Sequence, residues 1–406
     1  VRALAQGVLL SLAALLPLGA LAGPVCTAVV QHKAPPLNSC IGSARVKIAA
    51  VGDVLLHRPL QRRGYSDPDG FYAIWRAVAP IFRAADIAYA NLEGPVAPGV
   101  TRGGNNTRDP GPVFDDRVYS SFPQFNYHPR VITDLMRAGV NLVSTANNHS
   151  MDRGVLGADR TIDSLRAARL RYFGTVKTGE ARSFVAYTPS RLGRIAWIAC
   201  SYSTNGLRDP NNQVLMCFED REALLTLVAR NAGRSDVAGV IVTPHWGFEY
   251  QHSPNARQRA LARDLVGAGA TAVIGTHPHV VQPWEYVRRS DGSQGLVIYS
   301  TGNFVSGQVS LSRRTGGLAW LELCRPRPPK NLASALRSKL VIANSGWVPV
   351  IMNRTALGPE LQAVTAAEPA GSARDALRLV TRHWPPNGIR VRVACNASDA
   401  TLVALQ

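Results

Sequence analysis

Acidic residues are scarce in this 406-residue chain: 27 stand against 45 lysines and arginines, a formal charge of +18. So one-sided a balance excludes a surface that repels anions and favours acidic partners such as phosphates, polyanions or membrane surfaces. Nearly all the basic residues are arginine, and they are scattered rather than clustered. No stretch interleaves them with aromatics as a single-strand groove would require, so specific nucleic-acid recognition is set aside. A C-x-x-C pair is missing, which argues against a zinc ribbon or a dithiol redox motif. So is a G-x-x-x-x-G-K-[ST] loop, which argues against a ligase that activates its substrate with ATP.

Long apolar runs are also lacking. The strongest, Val8 to Ala22, is about 15 residues and roughly 22 Å as helix, too short to span a bilayer comfortably. It follows Arg2 and ends with Ala20 and Ala22 in an A-x-A pattern, the layout of a cleaved signal peptide over residues 1–22. Val1 in place of Met reads as a GTG start and hence a bacterial gene. The expected location is the periplasm or the cell exterior, with an N-terminal membrane anchor as the alternative. Six cysteines, an even number, fit an oxidising compartment. Proximity in sequence suggests Cys26 with Cys40 and Cys200 with Cys217, which leaves Cys324 with Cys395; fifteen connectivities are open.

What is present is alternation. Short apolar runs such as "VKIAAVGD", "DIAYANLE", "VNLVSTANN", "RIAWIACS", "AGVIVTPHW", "TAVIGTHPH" and "GLVIYSTGNF" read as strands. Between them, "LGADRTIDSLRAARL" and "NARQRALARDLVGAG" repeat apolar residues at helical spacing. The pattern predicts an α/β layered domain. Residues 98–129, rich in Gly, Pro and Asn, read as an extended loop, a length that usually has a function. "RPRPPKN" after Cys324 reads as a linker, followed by possible strands "WVPVIMN" and "IRVRVAC". The expected division is a segment 23–44, a main domain 45–325 and a C-terminal extension 326–406 of unknown role.

The chemistry gathers where the apolar runs end. "VGD" delivers Asp53, with His57 four residues on; "ANLEG" delivers Asn91 and Glu93; "STANNHSMDRG" delivers Asn148, His149 and Asp152. "VTPHWG" delivers His245, "GTHPH" delivers His277 and His279, and "STGNF" delivers Asn303. Ligands in α/β sheets bind beyond the carboxyl ends of the strands, so all these groups can converge. Each has a plainer reading taken alone. Asn148, Ser150 or Asp152 could cap the next helix, and Glu93 before Gly94-Pro95 could be a turn carboxylate. Trp246, Tyr250 and Trp284 could line a pocket or pack in the core. Together, two carboxylates, an amide and three imidazoles form a mixed N/O donor set suited to Zn, Mn or Fe, with donors enough for two ions.

"GDVLLHR", "ANLEGPV", "STANNHSMDRG", "PHWGFEY", "IGTHPHVVQPWE" and "YSTGNF" together resemble the CapA family, named for poly-γ-glutamate capsule synthesis, a branch of the calcineurin-like metallophosphoesterases. The match runs from about Arg45 to Cys324, with the motifs in the family's order. It implies a four-layer α/β/β/α sandwich with a small β-rich C-terminal extension and two divalent ions at one sheet edge. By that resemblance Asp53 holds one ion and Glu93 bridges. Asn148, His245 and His277 hold the second ion, and His279 completes the first. His149 would stand beside the phosphate as general acid, with Asp152 able to orient it. The wider superfamily has a histidine two residues after its first aspartate; here Val54-Leu55 follows, and His57 comes later as a ligand, a substrate contact or filler. Asn91 and Asn303 are further site candidates. Two expectations follow: a phosphoesterase acting on an anionic phosphoester or polyglutamate, or a non-catalytic factor that binds or exports such a polymer with the envelope or capsule machinery.

Overall fold

A computed structural model describes residues 26–33, 35–327, 338–386 and 388–395. The larger sheet is parallel on one side of β2 (Val46–Leu55), through β3 (Ile87–Leu92), β4 (Leu142–Ser144) and β5 (Arg171–Phe173). On the other side, β13 (Thr315–Cys324), β14 (Val341–Thr355) and β15 (Gly358–Ala363) continue it antiparallel, and β12 (Asn303–Ser306) pairs with the end of β2. The second sheet runs β10 (Val281–Arg288), β11 (Gln294–Thr301), β9 (Ala272–Ile274), β8 (Val237–His245), β7 (Arg194–Ser201) and β6 (Val185–Thr188). Its four central strands are parallel and both edges antiparallel.

Alternation of side chains builds the layers. Along β7, Ile195, Trp197 and Ala199 enter a core shared with Val46, Ile48 and Ala50 of β2, while Ala196, Ile198 and Cys200 face the opposite way. A strand buried on both faces must read as a continuous apolar run, as "RIAWIACS" does. The middle core therefore lies between the sheets. An outer core joins the large sheet to helices that include Arg130–Ala138, and another joins the second sheet to Arg221–Gly233 and Ala256–Gly267. The result is the α/β/β/α sandwich that was expected. Trp197 is fully buried, worth roughly 1.5–3 kcal/mol as apolar surface, and its indole N–H donates to Thr188 (2.9 Å).

Local rules set the helix ends. Asn255 and Gln258 form a reciprocal capping box at the start of Ala256–Gly267. The helix Arg130–Ala138 stops at Gly139, whose φ of 110° admits the left-handed turn that closes it. Residues 98–129 contain no helix or strand element. They are pinned by buried Asn126, whose amide donates to the carbonyls of Ala97 (2.8 Å) and Val118 (2.9 Å).

The stretch after Cys324 supplies β14 and β15 of the large sheet, a helix Gly371–His383, and β16 (Ile389–Cys395), which pairs antiparallel with β1 (Cys26–His32). That register decides one disulfide, and an isolated bridge at Cys40 a second. Cys26 lies opposite Cys395 and bonds to it, and Cys40, bridged to Pro326, bonds to Cys324. The expected Cys26–Cys40 and Cys324–Cys395 pairs are therefore wrong, because both bonds followed backbone pairing between distant segments rather than closeness in sequence. Cys200–Cys217 forms as expected. The signal peptide over 1–22 and the latter part of the linker lie outside the described residues. No helix among the described residues is long and apolar enough to cross a membrane.

Candidate metal centre at the strand ends

Both sheets deliver their carboxyl ends to one cleft. Asp53 stands near the end of β2, opposite Asn91 on β3 and Asn303 on β12. Gly52 allows this approach, since a Cβ there would collide with the Gly302 carbonyl. Asn91 donates its amide N–H to Asp53 Oδ1 (2.8 Å), and its Oδ1 accepts from Ser144 (2.9 Å). Asp53 Oδ2 accepts from the His277 backbone N–H (3.4 Å) and lies 3.2 Å from His279 Nδ1. Asn303 Oδ1 is 3.0 Å from that same nitrogen, while its amide donates to the Arg313 carbonyl (2.6 Å). The His279 ring is thereby held by Nδ1, and its Nε2 is directed at Glu93 Oε1 and Glu249 Oε1, 4.0 Å from each.

Glu93 is the anomaly. It has no exposure, and neither carboxylate oxygen has a hydrogen-bond partner among the described residues. Buried polar atoms are almost always paired, and an unpaired buried carboxylate is costly. Burial, then the charges of Asp53, Glu249 and Asp152, pushes its carboxyl well above the usual range. Glu93, His277 and His279 offer ligand atoms that all lie within 4.8 Å of one another. His277 Nδ1 is likewise unpaired, and the Tyr202 ring stands 4.3 Å from the imidazole.

His245, at the end of β8, sits behind this trio. Its Nε2 is 2.8 Å from Asn148 Oδ1 and 3.6 Å from Glu93 Oε1; its Nδ1 is 2.9 Å from Thr276 Oγ1. Burial, and then the neighbouring imidazoles, drives His245 and His277 well below the ordinary histidine value. Neutral imidazole is the form that binds metal, and an orphaned carboxylate is what a cation would satisfy, so the donor set fits a divalent ion.

Backbone strain collects at the same place. His277 (φ 97°) and His279 (φ 57°) lie in the left-handed region, as do nearby Tyr250 (66°) and Asn205 (53°). Each such residue costs about 1–3 kcal/mol, and such strain clusters at functional sites.

The stretch "STANNHSMDRG" serves the cleft rather than a helix cap. The following helix, Gly154–Ala167, has Arg153 at its cap position with no side-chain cap bond. Asp152 Oδ2 instead accepts the Phe125 backbone N–H (2.6 Å) and lies 2.7 Å from His149 Nδ1. Phe125, carried in by the long loop, meets the His149 ring edge-on at 4.8 Å. Asn147 secures the turn by donating to the Leu92 carbonyl (2.8 Å) and accepting from the His149 N–H (3.2 Å).

His57 stands beside the cleft and outside the Glu93–His277–His279 trio. Its Nδ1 is 3.2 Å from both the Leu55 carbonyl and the Gly307 N–H, and burial holds the ring down at about 4 against the opposing Leu55 bond. Of the three aromatics, Trp246 is core, donating its indole N–H to the Tyr299 carbonyl (2.9 Å). Trp284 packs on Trp384 at 4.9 Å. Tyr250 alone reaches the cleft, 6.1 Å from the His279 ring. Sequence reasoning passed over Glu249, Tyr202 and Asn147. Glu249 was legible as the first acid after the end of β8, within "PHWGFEY"; Tyr202 gave no such signal.

A helix-sheathed double sheet with buried imidazoles and carboxylates at its strand ends defines a four-layer α/β/β/α protein with a candidate metal centre. Residues 47–308, well over half the chain, match the model of the bacterial capsule synthesis protein PGA_cap family, and the chain belongs to that family. It is similar to the PGA biosynthesis protein CapA of Bacillus subtilis (strain 168), 29% identical over 275 residues that cover 67% of this chain and 66% of that protein. The capsule biosynthesis protein CapA of Bacillus anthracis is 26% identical over 315 residues, covering 72% and 71% respectively. Among solved structures, the NAD nucleotidase (NadN) of Haemophilus influenzae aligns over 84% of this chain and 63% of its own, at 12% identity and a TM-score of 0.44. A likeness at that level says nothing of chemistry.

Proposed function

We propose that the chain is an exported, metal-dependent phosphoesterase of capsule or cell-envelope metabolism, acting on an anionic substrate. The observation that carries this reading is Glu93, fully buried, unpaired at both oxygens and set against His277 and His279. In this reading those three hold a divalent ion (Mn, Fe or Zn), and Asp53, Asn148 and His245 complete a two-ion set. Bound divalent ions supply positive charge that stabilises a phosphoryl group under attack by water.

The chain's own residues account for the rest. Asp53 and Asn303 orient His279 through Nδ1, the kind of support that ligating histidines ordinarily have. Asn91 ties Asp53 to the His245 side of the cleft, with its amide 3.3 Å from His245 Nδ1. Asp152 fixes His149 through Nδ1, which leaves Nε2 to give a proton to the leaving oxygen. His57, beside the cleft and held by Leu55 and Gly307, is in this reading the remaining candidate for a substrate contact.

Export is supported by three disulfides that engage all six cysteines, a pattern of oxidising compartments, together with the expected leader over 1–22. The relatives' names point to poly-γ-glutamate, itself an anionic polymer, and the charge of +18 suits such a partner. That charge also favours a second reading, a polymer-binding or export factor without turnover, working with the capsule machinery.

The deciding experiment is hydrolysis of an aryl phosphodiester with and without Mn²⁺, beside His149→Ala. Mn²⁺-dependent turnover, falling about 10²–10⁴-fold in the variant, is the expected result. Absence of turnover in protein proven to hold metal would instead favour the polymer-binding reading.

A further inference from the structure

Among the described residues, Glu249 is a carboxylate beside the trio that the functional reading leaves unused. It sits in the turn after β8, a turn fixed to the segment bearing both histidines. The Trp246 N–H donates to the Thr276 carbonyl (3.1 Å), and the Tyr250 N–H donates to the Pro278 carbonyl (2.8 Å). Gly247 (φ 97°) and Tyr250 (φ 66°) bend the backbone between those two anchors. The carboxylate of Glu249 is thus carried on a short, braced turn rather than a free loop.

Its surroundings are unusual for this chain. Basic residues outnumber acidic ones 45 to 27, yet among the described residues no arginine or lysine pairs with Glu249. Arg313 lies over the neighbouring Tyr250 ring, 3.6 Å from its centroid. The ion-pair neighbour of Glu249 is His279, whose Nε2 it approaches to 4.0 Å, the same separation that Glu93 keeps. Two carboxylates therefore lie at the same distance from one imidazole nitrogen. The fully buried partner, Glu93, is unpaired at both oxygens. Nothing from the strand end of β2 balances them: Leu55 is in the apolar core, and His57 is turned to Leu55 and Gly307.

We propose that Glu249 is a metal-holding residue, a further donor on the His279 side of the Glu93–His277–His279 trio, whose mutual 4.8 Å set does not include it, at the open side of the cleft. The inference rests on the metal reading above. Its side chain is 43% exposed, so it closes the ion's surroundings at the mouth and sets how readily the ion exchanges with solvent.

The test is a count of Mn²⁺ per chain after gel filtration, with affinity from calorimetry, for wild type, Glu249→Gln and the exposed control Glu219→Gln. Glu249→Gln is expected to lose one ion per chain or to weaken affinity about 10- to 100-fold, with the control unchanged. Because Glu249 is half-exposed, the metal-free variant should melt where the wild type does, and only the rise in melting temperature on adding Mn²⁺ should shrink. Equal Mn²⁺ content and affinity in Glu249→Gln and wild type overturns this assignment and leaves the metal reading standing. A wild type that takes up no Mn²⁺ overturns both.

Discussion

Two glutamates of the same sheet, one partly and one fully buried, have opposite fates. Glu322, on β13, is 12% exposed and fully engaged: His32 Nε2 lies 3.3 Å from its Oε1, the Trp320 indole donates to the same oxygen (3.3 Å), and the Asn344 amide donates to Oε2 (3.3 Å). Burial alone would raise its carboxyl, but the bonds from His32, Asn344 and Trp320 and the His32 charge outweigh it and take it down to about 2. Glu93, just past β3, has imidazole nitrogens 3.6 and 4.0 Å from Oε1 but no hydrogen bond at either oxygen among the described residues, and is pushed up instead. A buried carboxylate that serves the fold comes with its donors. One left without them, among imidazoles held neutral, is shaped for a partner from outside the chain.

The sharpest way to break this contrast is Glu93→Gln. Removing an unpaired buried charge should leave the metal-free protein no less stable, while Mn²⁺ affinity falls at least about 100-fold. Melting with and without Mn²⁺ reads both, because a ligand bound only by the folded state raises its melting temperature. A Glu93→Gln protein that is still stabilised by Mn²⁺ to the wild-type extent would remove Glu93 from the centre.

A smaller effect is expected one step out. Asp152 holds both His149 and the Phe125 backbone, so Asp152→Asn should keep its metal but lose roughly 100-fold in turnover. The informative measurement is the pair. If Asp152 acts through His149, the double variant with His149→Ala should fall no further than His149→Ala alone. Losses that multiply would mean that Asp152 has a separate role.

Much of this was legible in the sequence, for physical reasons. Period-two and continuous apolar runs located the central strands of both sheets, and the polar residues closing those runs located the cleft. Short range failed where long range decided. The Cys26–Cys395 disulfide followed the β1–β16 register, between residues 369 apart in sequence, and Cys40–Cys324 spans 284, and no local pattern encodes either. Trp246 and Asp152 were ambiguous for a related reason: a side chain beside a motif can point into the core or the cleft, and only the packed backbone decides. Glu249 went unread although it is the first acid after β8, because nothing within "PHWGFEY" itself places His279 next to it.

Glu322→Gln completes the contrast from its quiet side. The variant should bind Mn²⁺ and turn over substrate as the wild type does, and lose about 1–2 kcal/mol of stability at neutral pH after solvent screening. The pH dependence identifies the source. A carboxyl whose folded value is depressed binds fewer protons folded than unfolded between its lowered value, about 2, and its ordinary one, 4.5. Stability therefore rises with pH across that window, is fully present above it, and is lost as pH falls toward 2. Urea unfolding of wild type and variant should accordingly differ at pH 7 and at pH 5.5, differ less near pH 3, and converge only as pH falls through about 2. A gap that stays constant with pH would trace the loss to packing around Trp320 and not to the ionised carboxylate, and Glu322 would no longer be the settled counterpart of Glu93.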